Sequence, residues 1–487
     1  MNTDRRKFLK TGAMAGVSGS LLSSEILLGK SLANEPVKTQ IKTTTNPKKV
    51  IVAGAGIAGL CCAYELMKLG HEVVVFDASG RHGGHVFTGR DGLSDGLYAD
   101  MGAEHITKPG YERFWEYIKE LDLEILPYPR RKNILRRIDG KFYTEEMLAD
   151  SAVLKTFGFN QREIKYLTDN PWPELKGLYL GPYLDKFTDE YQPFGVGYDH
   201  MDSSPITELY QKEGASATAL NFLGGSQVSG LYALWQAAIL SMRGVAFFPP
   251  EVFRLKGGNQ GLPNAFAKKL GSRVRLNAPI VSIENSTSGV TVTYKEFGEQ
   301  MIESADYLAN CIPPPAFRKI PVTPAFPAQK QYVLNNIAYG SYARFVFQAS
   351  SKFWLEDGLS INMHLNHPSI DGISQVAEEV DTHRVALMGS APAGVTPLRA
   401  LAGFKEVYLG KQITIEHAIV KDWSKDQFAP TCERLSFPIN TLKQFWPQVM
   451  SPHQRIHFAG ASADNLNWGM EAATRSANRV AKEIDQA

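Results

Sequence analysis

The stretch from Lys48 to Thr88, KKVIVAGAGIAGLCCAYELMKLGHEVVVFDASGRHGGHVFT, constrains the fold of this 487-residue chain more than any other. A short apolar run, Val50 to Ala53, leads straight into Gly54-Ala-Gly56-Ile-Ala58-Gly59. The first glycine of such a turn permits the tight bend, the second lets backbone approach a pyrophosphate, and the third lets the next helix pack on the strand. Leu60 to Leu69 reads as that helix, with Gly70 as its C-cap. Its N-terminal N–H groups would face phosphate. A second apolar run, Val73 to Phe76, ends in Asp77. An acid about 20 residues past the turn can accept hydrogen bonds from a ribose hydroxyl. Strand, turn, helix, strand and acid are all in register, which predicts a dinucleotide-binding βαβ unit.

The chain is long enough for two or three packed units. Its first 33 residues are expected to be a removable signal: Arg5-Arg6 forms a twin-arginine pattern, a weakly apolar stretch follows, and Ser31-Leu-Ala33 is a small-residue site. Export by the twin-arginine route, to a periplasmic or secreted location, follows from that reading. Removal takes the formal charge from +2 to −1, because five basic and two acidic side chains leave. No nucleic-acid or anionic-membrane partner is implied. The cysteines Cys61, Cys62, Cys311 and Cys432 form no CxxC pair and no zinc pattern, so neither a redox dithiol nor a metal site is expected.

Residues 34–47 read as a flexible leader. Arg81-His-Gly83-Gly84-His85 suggests another close backbone approach to the nucleotide, and an amphipathic helix is expected around Tyr111 to Leu121. Residues 130–250, broken by Pro171, Pro173, Pro182, Pro193 and Pro205, read as a mainly helical insertion. Strand signals return at Val274–Leu276, Ile280–Ile283, Val290–Tyr294 and Tyr307–Ile312. Arg455 to Gly460 is a strand running into a glycine, and Gly469 to Ile484 is an alanine-rich helix. The nucleotide unit is therefore expected to be discontinuous, from residues 48–129, 251–300 and 455–487, with a substrate unit from 130–250 and 301–454. Only one dinucleotide fingerprint is present, so a nucleotide held here would exchange electrons with oxygen or an external acceptor rather than with a second bound nucleotide.

These motifs, together with Tyr98–His105, Gly257–Pro263, Phe353-Trp354, Asp422-Trp423, Phe458–Gly460 and Met470-Glu471, resemble the FAD-dependent amine oxidase family of monoamine, polyamine and L-amino-acid oxidases. The resemblance implies an α/β fold: a discontinuous Rossmann-like FAD-binding domain with a mixed-sheet plus helical substrate domain. It implies that Gly54, Gly56, Ala58, Gly59, Asp77, Arg81, Gly83, Gly84, His85, Gly102, Ile280, Gly460, Ala461, Gly469 and Met470 hold FAD. The activity implied is removal of a hydride from the carbon bearing an amine, yielding imine and hydrogen peroxide. The partners implied are a small amine or amino acid and oxygen, with a homodimer as the assembly considered.

Departures from the family pattern mark the substrate side. The arginine that normally closes the RxGGR segment is His85, which weakens neutralisation of a pyrophosphate. A lysine that commonly sits near the flavin aligns with Arg344; arginine stays charged, which points to carboxylate binding rather than proton shuttling. The arginine and tyrosine of venom-type amino-acid oxidases correspond to His105 and Met388. The two tyrosines of monoamine oxidases correspond to Glu433 and to Trp468 or Gly469. Arg344, Glu433, Trp468 and His105 are thus the candidate catalytic residues. FAD is expected to be non-covalent, with a link through Cys432 as the alternative. A flavin desaturase or dehydrogenase using a non-oxygen acceptor, an FAD-binding protein without amine oxidase activity, and an NAD-binding protein remain open.

Overall fold

The computed structural model describes residues 43–430, 437–466 and 469–487, with the backbone of Glu433 and Arg434. The signal expected in residues 1–33 and the leader up to residue 42 lie outside them.

Apolar β-branched runs build a five-stranded parallel sheet. Its strands are β1 (Lys49–Ala53), β2 (Glu72–Phe76), β3 (Val274–Arg275), β4 (Tyr307–Asn310) and β5 (Ile456–Phe458), in the order β5-β4-β1-β2-β3. β4 belongs to this sheet although the sequence reading grouped it with the 301–454 segment; its register, Val50 opposite Tyr307 through Ala53 opposite Asn310, is set by four buried side chains. Helices α1 (Ile57–Leu69) and α2 (Gly469–Gln486) share a core with this sheet, where Cys61, Cys62 and Leu66 meet Ala473, Ala477 and Val480. α1 starts one turn earlier than expected, because Gly56 is extended (φ −68°, ψ 173°) and acts as its N-cap. Gly70 ends it in the left-handed region (φ 96°), where its N–H caps the Leu66 and Met67 carbonyls.

The second large layer is a seven-stranded mixed sheet. Tyr342–Ala349 is flanked by Val385–Pro392 and Ile415–Asp422. Ala343, Phe345, Phe347 and Ala349 fill one core, whereas Val346 packs with Met388 in another. Strand periodicity therefore puts Arg344 on the Val346 face. The 130–250 insertion is helical over most of its length, as expected, but it opens with a hairpin, Leu135–Ile138 and Lys141–Thr144, that joins the edge of this sheet. Its helices bury Trp172, Tyr179 and Trp235 together with Phe437 and Trp446 from far downstream. Among the described residues, no helix is long and apolar enough to cross a membrane.

Candidate functional site

The turn between β1 and α1 is built for close backbone contact. Gly54 has φ 102°, a conformation that disfavours side chains. A Cβ on Gly59 would lie 1.9 Å from the Gly54 carbonyl oxygen, so the third glycine is fixed by helix packing. The Asp77 carboxylate ties this turn to the next loop: Oδ2 accepts from the Ala55 N–H at 2.5 Å, and Oδ1 accepts from the Ser79 N–H at 2.7 Å and the Ser79 hydroxyl at 2.6 Å. Gly83 donates to the Ala55 carbonyl at 2.8 Å, which brings the paired glycines against the turn.

These segments form one wall of a cleft of about 850 Å³. Gly54, Gly56, Ala58, Asp77, Arg81, Gly83, Gly84 and His85 line it, and Ile280, Gly460, Ala461, Gly469 and Met470 face them. Gly59 and Gly102 do not line it. Both are packing residues, since a Gly102 Cβ would lie 1.8 Å from the His85 carbonyl oxygen. The N-terminus of α1 carries no side-chain cap and no acid in its first turn, so its N–H groups are available to an anion. A dinucleotide with a pyrophosphate at α1 and a ring system near the start of α2 fits this volume and these donors.

His85 is the point where the lining changes character. Its ring lies 4.1 Å from that of Trp423, and its buried Nε2 has no partner among the described residues. Burial, then the charge of Arg344, pushes its pKa down to about 3, so the imidazole is neutral and brings no charge to the cleft.

Arg344 and His105 do not line the cleft. Arg344 is 9 % exposed and pairs with Glu104 at 2.5 Å, and the same carboxylate pairs with Arg130. Across the ladder from Arg344 stands Lys421, neutralised by Asp426 at 2.7 Å; Asp426 in turn lines the cleft. A guanidinium already held by a carboxylate is not a free clamp, so the geometry puts Arg344 in a shared ion network. His105 is held down to about 3 by burial and by Arg131 and Arg344, and its Nδ1 has no partner among the described residues. Met388 packs against Val346. Cys432 and Trp468 lie outside the described residues; the Glu433 backbone pairs with Gly340, next to Tyr339 of the cleft.

Sequence reasoning passed over Glu104, Arg130, Tyr339, Lys421 and Asp426. Glu104 stood inside the quoted Tyr98–His105 segment, but nothing local revealed that two distant arginines converge on it. Cys61 and Cys62 are buried thiols whose pKa is raised by desolvation, and Cys311 touches the cleft. Among the described residues no cluster of His, Cys, Asp and Glu could hold a metal.

The family described as flavin containing amine oxidoreductase matches residues 57–485. The L-amino-acid oxidase of Bothrops atrox is 24% identical over 482 residues, covering 93% of this chain and 92% of its own. The L-amino-acid oxidase of Demansia vestigiata is 27% identical over 481 residues, covering 92% and 88%. Among solved structures, cyclohexylamine oxidase from Brevibacterium oxydans IH-35A has a TM-score of 0.74 at 21% identity over 91% of this chain and 99% of its own. A putrescine oxidase double mutant has a TM-score of 0.76 at 20% identity, again covering 91% and 99%. At such identities the structural likeness speaks to the fold.

Proposed function

The chain belongs to the flavin containing amine oxidoreductases, and from that premise we propose that it is an FAD-dependent oxidase of an L-amino acid or other primary or secondary amine. The observation that carries the reading is the cleft of about 850 Å³, open at once to the glycine turn and to the start of α2. FAD bound there supplies acceptance of a hydride from the amine-bearing carbon and return of the electrons to oxygen as hydrogen peroxide.

The residues of this chain hold and orient. The N–H groups at the start of α1 would hold the pyrophosphate, and Asp77 would offer its remaining acceptor capacity to a ribose. Gly469 and Met470, which line the cleft at the start of α2, would hold the flavin end of the cofactor through backbone N–H groups. His85, neutral and locked against Trp423, donates or accepts one hydrogen bond without adding charge. Glu433 is assigned to the amine, as a charge-assisted partner, and Trp468 to one wall of the substrate space. His105 is assigned the substrate side by its place next to Glu104. Twin-arginine export of the folded, loaded enzyme is proposed from Arg5-Arg6.

The test is an anaerobic screen of the purified yellow protein against amino acids, polyamines and aryl-alkyl amines. Bleaching of the flavin, followed by stoichiometric peroxide when air is admitted, is expected for at least one class. Bleaching without peroxide would reassign the protein to the dehydrogenases, and a colourless preparation would remove the flavin assignment.

A further inference from the structure

The four-stranded sheet that carries Ile280 of the cleft ends in an open edge. Its strands run in the order Glu299–Ala305, Val290–Glu296, Ile280–Asn285, Val322–Thr323. Glu299–Ala305 is outermost, and among the described residues no strand pairs with its free side. Which of its backbone groups face outward follows from the register. Lys295 donates to the Pro279 carbonyl at 3.0 Å, away from Glu299–Ala305, so Gln300, which stands opposite Lys295, turns its N–H and C=O to the free side. Ile302 and Ser304 share that direction by alternation. Asp306 agrees with it: its N–H donates outward to the Lys49 carbonyl at 2.9 Å. The start of β1 thus closes the edge at Asp306 and leaves Gln300, Ile302 and Ser304 with open backbone groups.

Proteins ordinarily blunt such an edge with proline, lysine or a bulge. The strand EQMIESA has neither proline nor lysine, and its pairing with Val290–Glu296 is regular from Glu296 opposite Glu299 to Val290 opposite Ala305. At its centre Ile302 is 71 % exposed. Of its two acids, Glu303 is neutralised by Lys49 at 2.5 Å.

A second copy of the chain fits this edge in one register. Antiparallel pairing about a two-fold axis through Ile302 sets Ile302 opposite Ile302 and Gln300 opposite Ser304, so every open residue of both copies is used and each of these pairs exchanges two main-chain hydrogen bonds. An axis through Met301 would oppose Glu299 to Glu303, and like charges directly opposite destabilise a ladder. An axis through Ser304 would set Ile302 against Asp306, whose N–H is already taken by Lys49. In the Ile302 register Glu299 lies opposite Ala305, beside the Lys49 that closes the edge of the other copy. We infer that the free edge of Glu299–Ala305 is an interface between two copies of this chain, which joins their four-stranded sheets into one continuous sheet. The interface is short, near the lower limit of about 1,200 Å² for specific association, so assembly depends on concentration. The cleft wall at Ile280 lies two strands further in, and breaking the interface leaves the flavin content unchanged.

The experiment measures molar mass by light scattering on purified protein from about 1 to about 100 µM. The wild-type mass is expected to double across that range. Ile302→Lys, at an exposed position, should weaken the association at least about tenfold while keeping the flavin content and the melting temperature of dilute protein. Cross-linking reads the register: the two Ile302 Cα atoms would lie about 5.5 Å apart, within reach of a disulfide, and the two Gln300 Cα atoms about 14 Å apart. Under air oxidation Ile302→Cys should form a covalent dimer that the wild type does not. Gln300→Cys alone should not form one, whereas a mixture of Gln300→Cys with Ser304→Cys should. A wild type that stays monomeric at every concentration leaves the edge to another occupant and overturns the inference. So does an assembly that Ile302→Lys leaves at full mass, or cross-linking that favours Gln300→Cys over Ile302→Cys.

Discussion

The two walls that meet at His85 are specified by different physics. On the nucleotide wall the determinants are backbone: Gly54 at φ 102°, Gly59 pressed on the Gly54 carbonyl, and the uncapped start of α1. On the inner side, behind the lining apart from Asp426, they are side-chain charges: Glu104 shared by Arg130 and Arg344, and Lys421 neutralised by Asp426. The first kind tolerates almost no substitution, because a Cβ has nowhere to go at Gly59 and the backbone of Gly54 is one that side chains disfavour. The second tolerates exchange of one charged group for another so long as the sum of charge and the donors remain served, which is how a family can keep its cofactor and change its substrate.

The largest effect should come from Gly59→Val. Its side chain would collide with backbone that cannot move, so we expect a loss of about 3 kcal/mol or more in stability and purification of protein without flavin, read by melting temperature and absorbance. Arg344→Met should cost less, about 1–2 kcal/mol, because Glu104 keeps Arg130 as a partner. It should purify yellow. If it loses flavin as Gly59→Val does, the division between the two walls is wrong.

A third test probes the opposite end of the cleft, where α2 begins. Glu471 and Asp464 are buried, and burial pushes both pKa values up to about 7. The folded protein keeps these protons to near pH 7, whereas the unfolded chain releases them near pH 4. Stability should therefore fall as pH rises between those values. Glu471→Gln should flatten the decline by at most about 1.4 kcal/mol per pH unit, measured by urea unfolding at several pH values. An unchanged slope would show that Glu471 does not hold its proton. The smallest effect is expected far from both walls, at the two-residue turn of Phe297 (φ 51°) and Gly298 (φ 89°), where Phe297 is fully exposed. Asparagine suits that left-handed position, so Phe297→Asn should raise stability by about 1 kcal/mol with flavin content unaltered.

Legibility followed the same division. Gly54, Gly56, Asp77, Gly83 and Gly84 could be read in advance because the geometry of a βαβ turn is local and leaves a local residue pattern. The start of α2 was legible for the same reason. The strand Tyr307–Asn310 was read as a strand but grouped with the wrong layer, since an apolar run does not say which neighbour it pairs with. The hairpin at 135–144 was lost inside a helical insertion. Arg344 was singled out for its charge, yet its partner was missed, because Glu104 reaches it only after the chain has folded around the seven-stranded sheet.

By itself the sequence determined the strand, glycine turn and helix that line one side of the cleft, because short-range sterics dictate which positions must be glycine. Only the tertiary structure decided which charges are spent and which remain. Glu104, Arg130 and Arg344 come from three separate segments, and whether a buried guanidinium is a free clamp or half of an ion pair depends on distances that no linear pattern records.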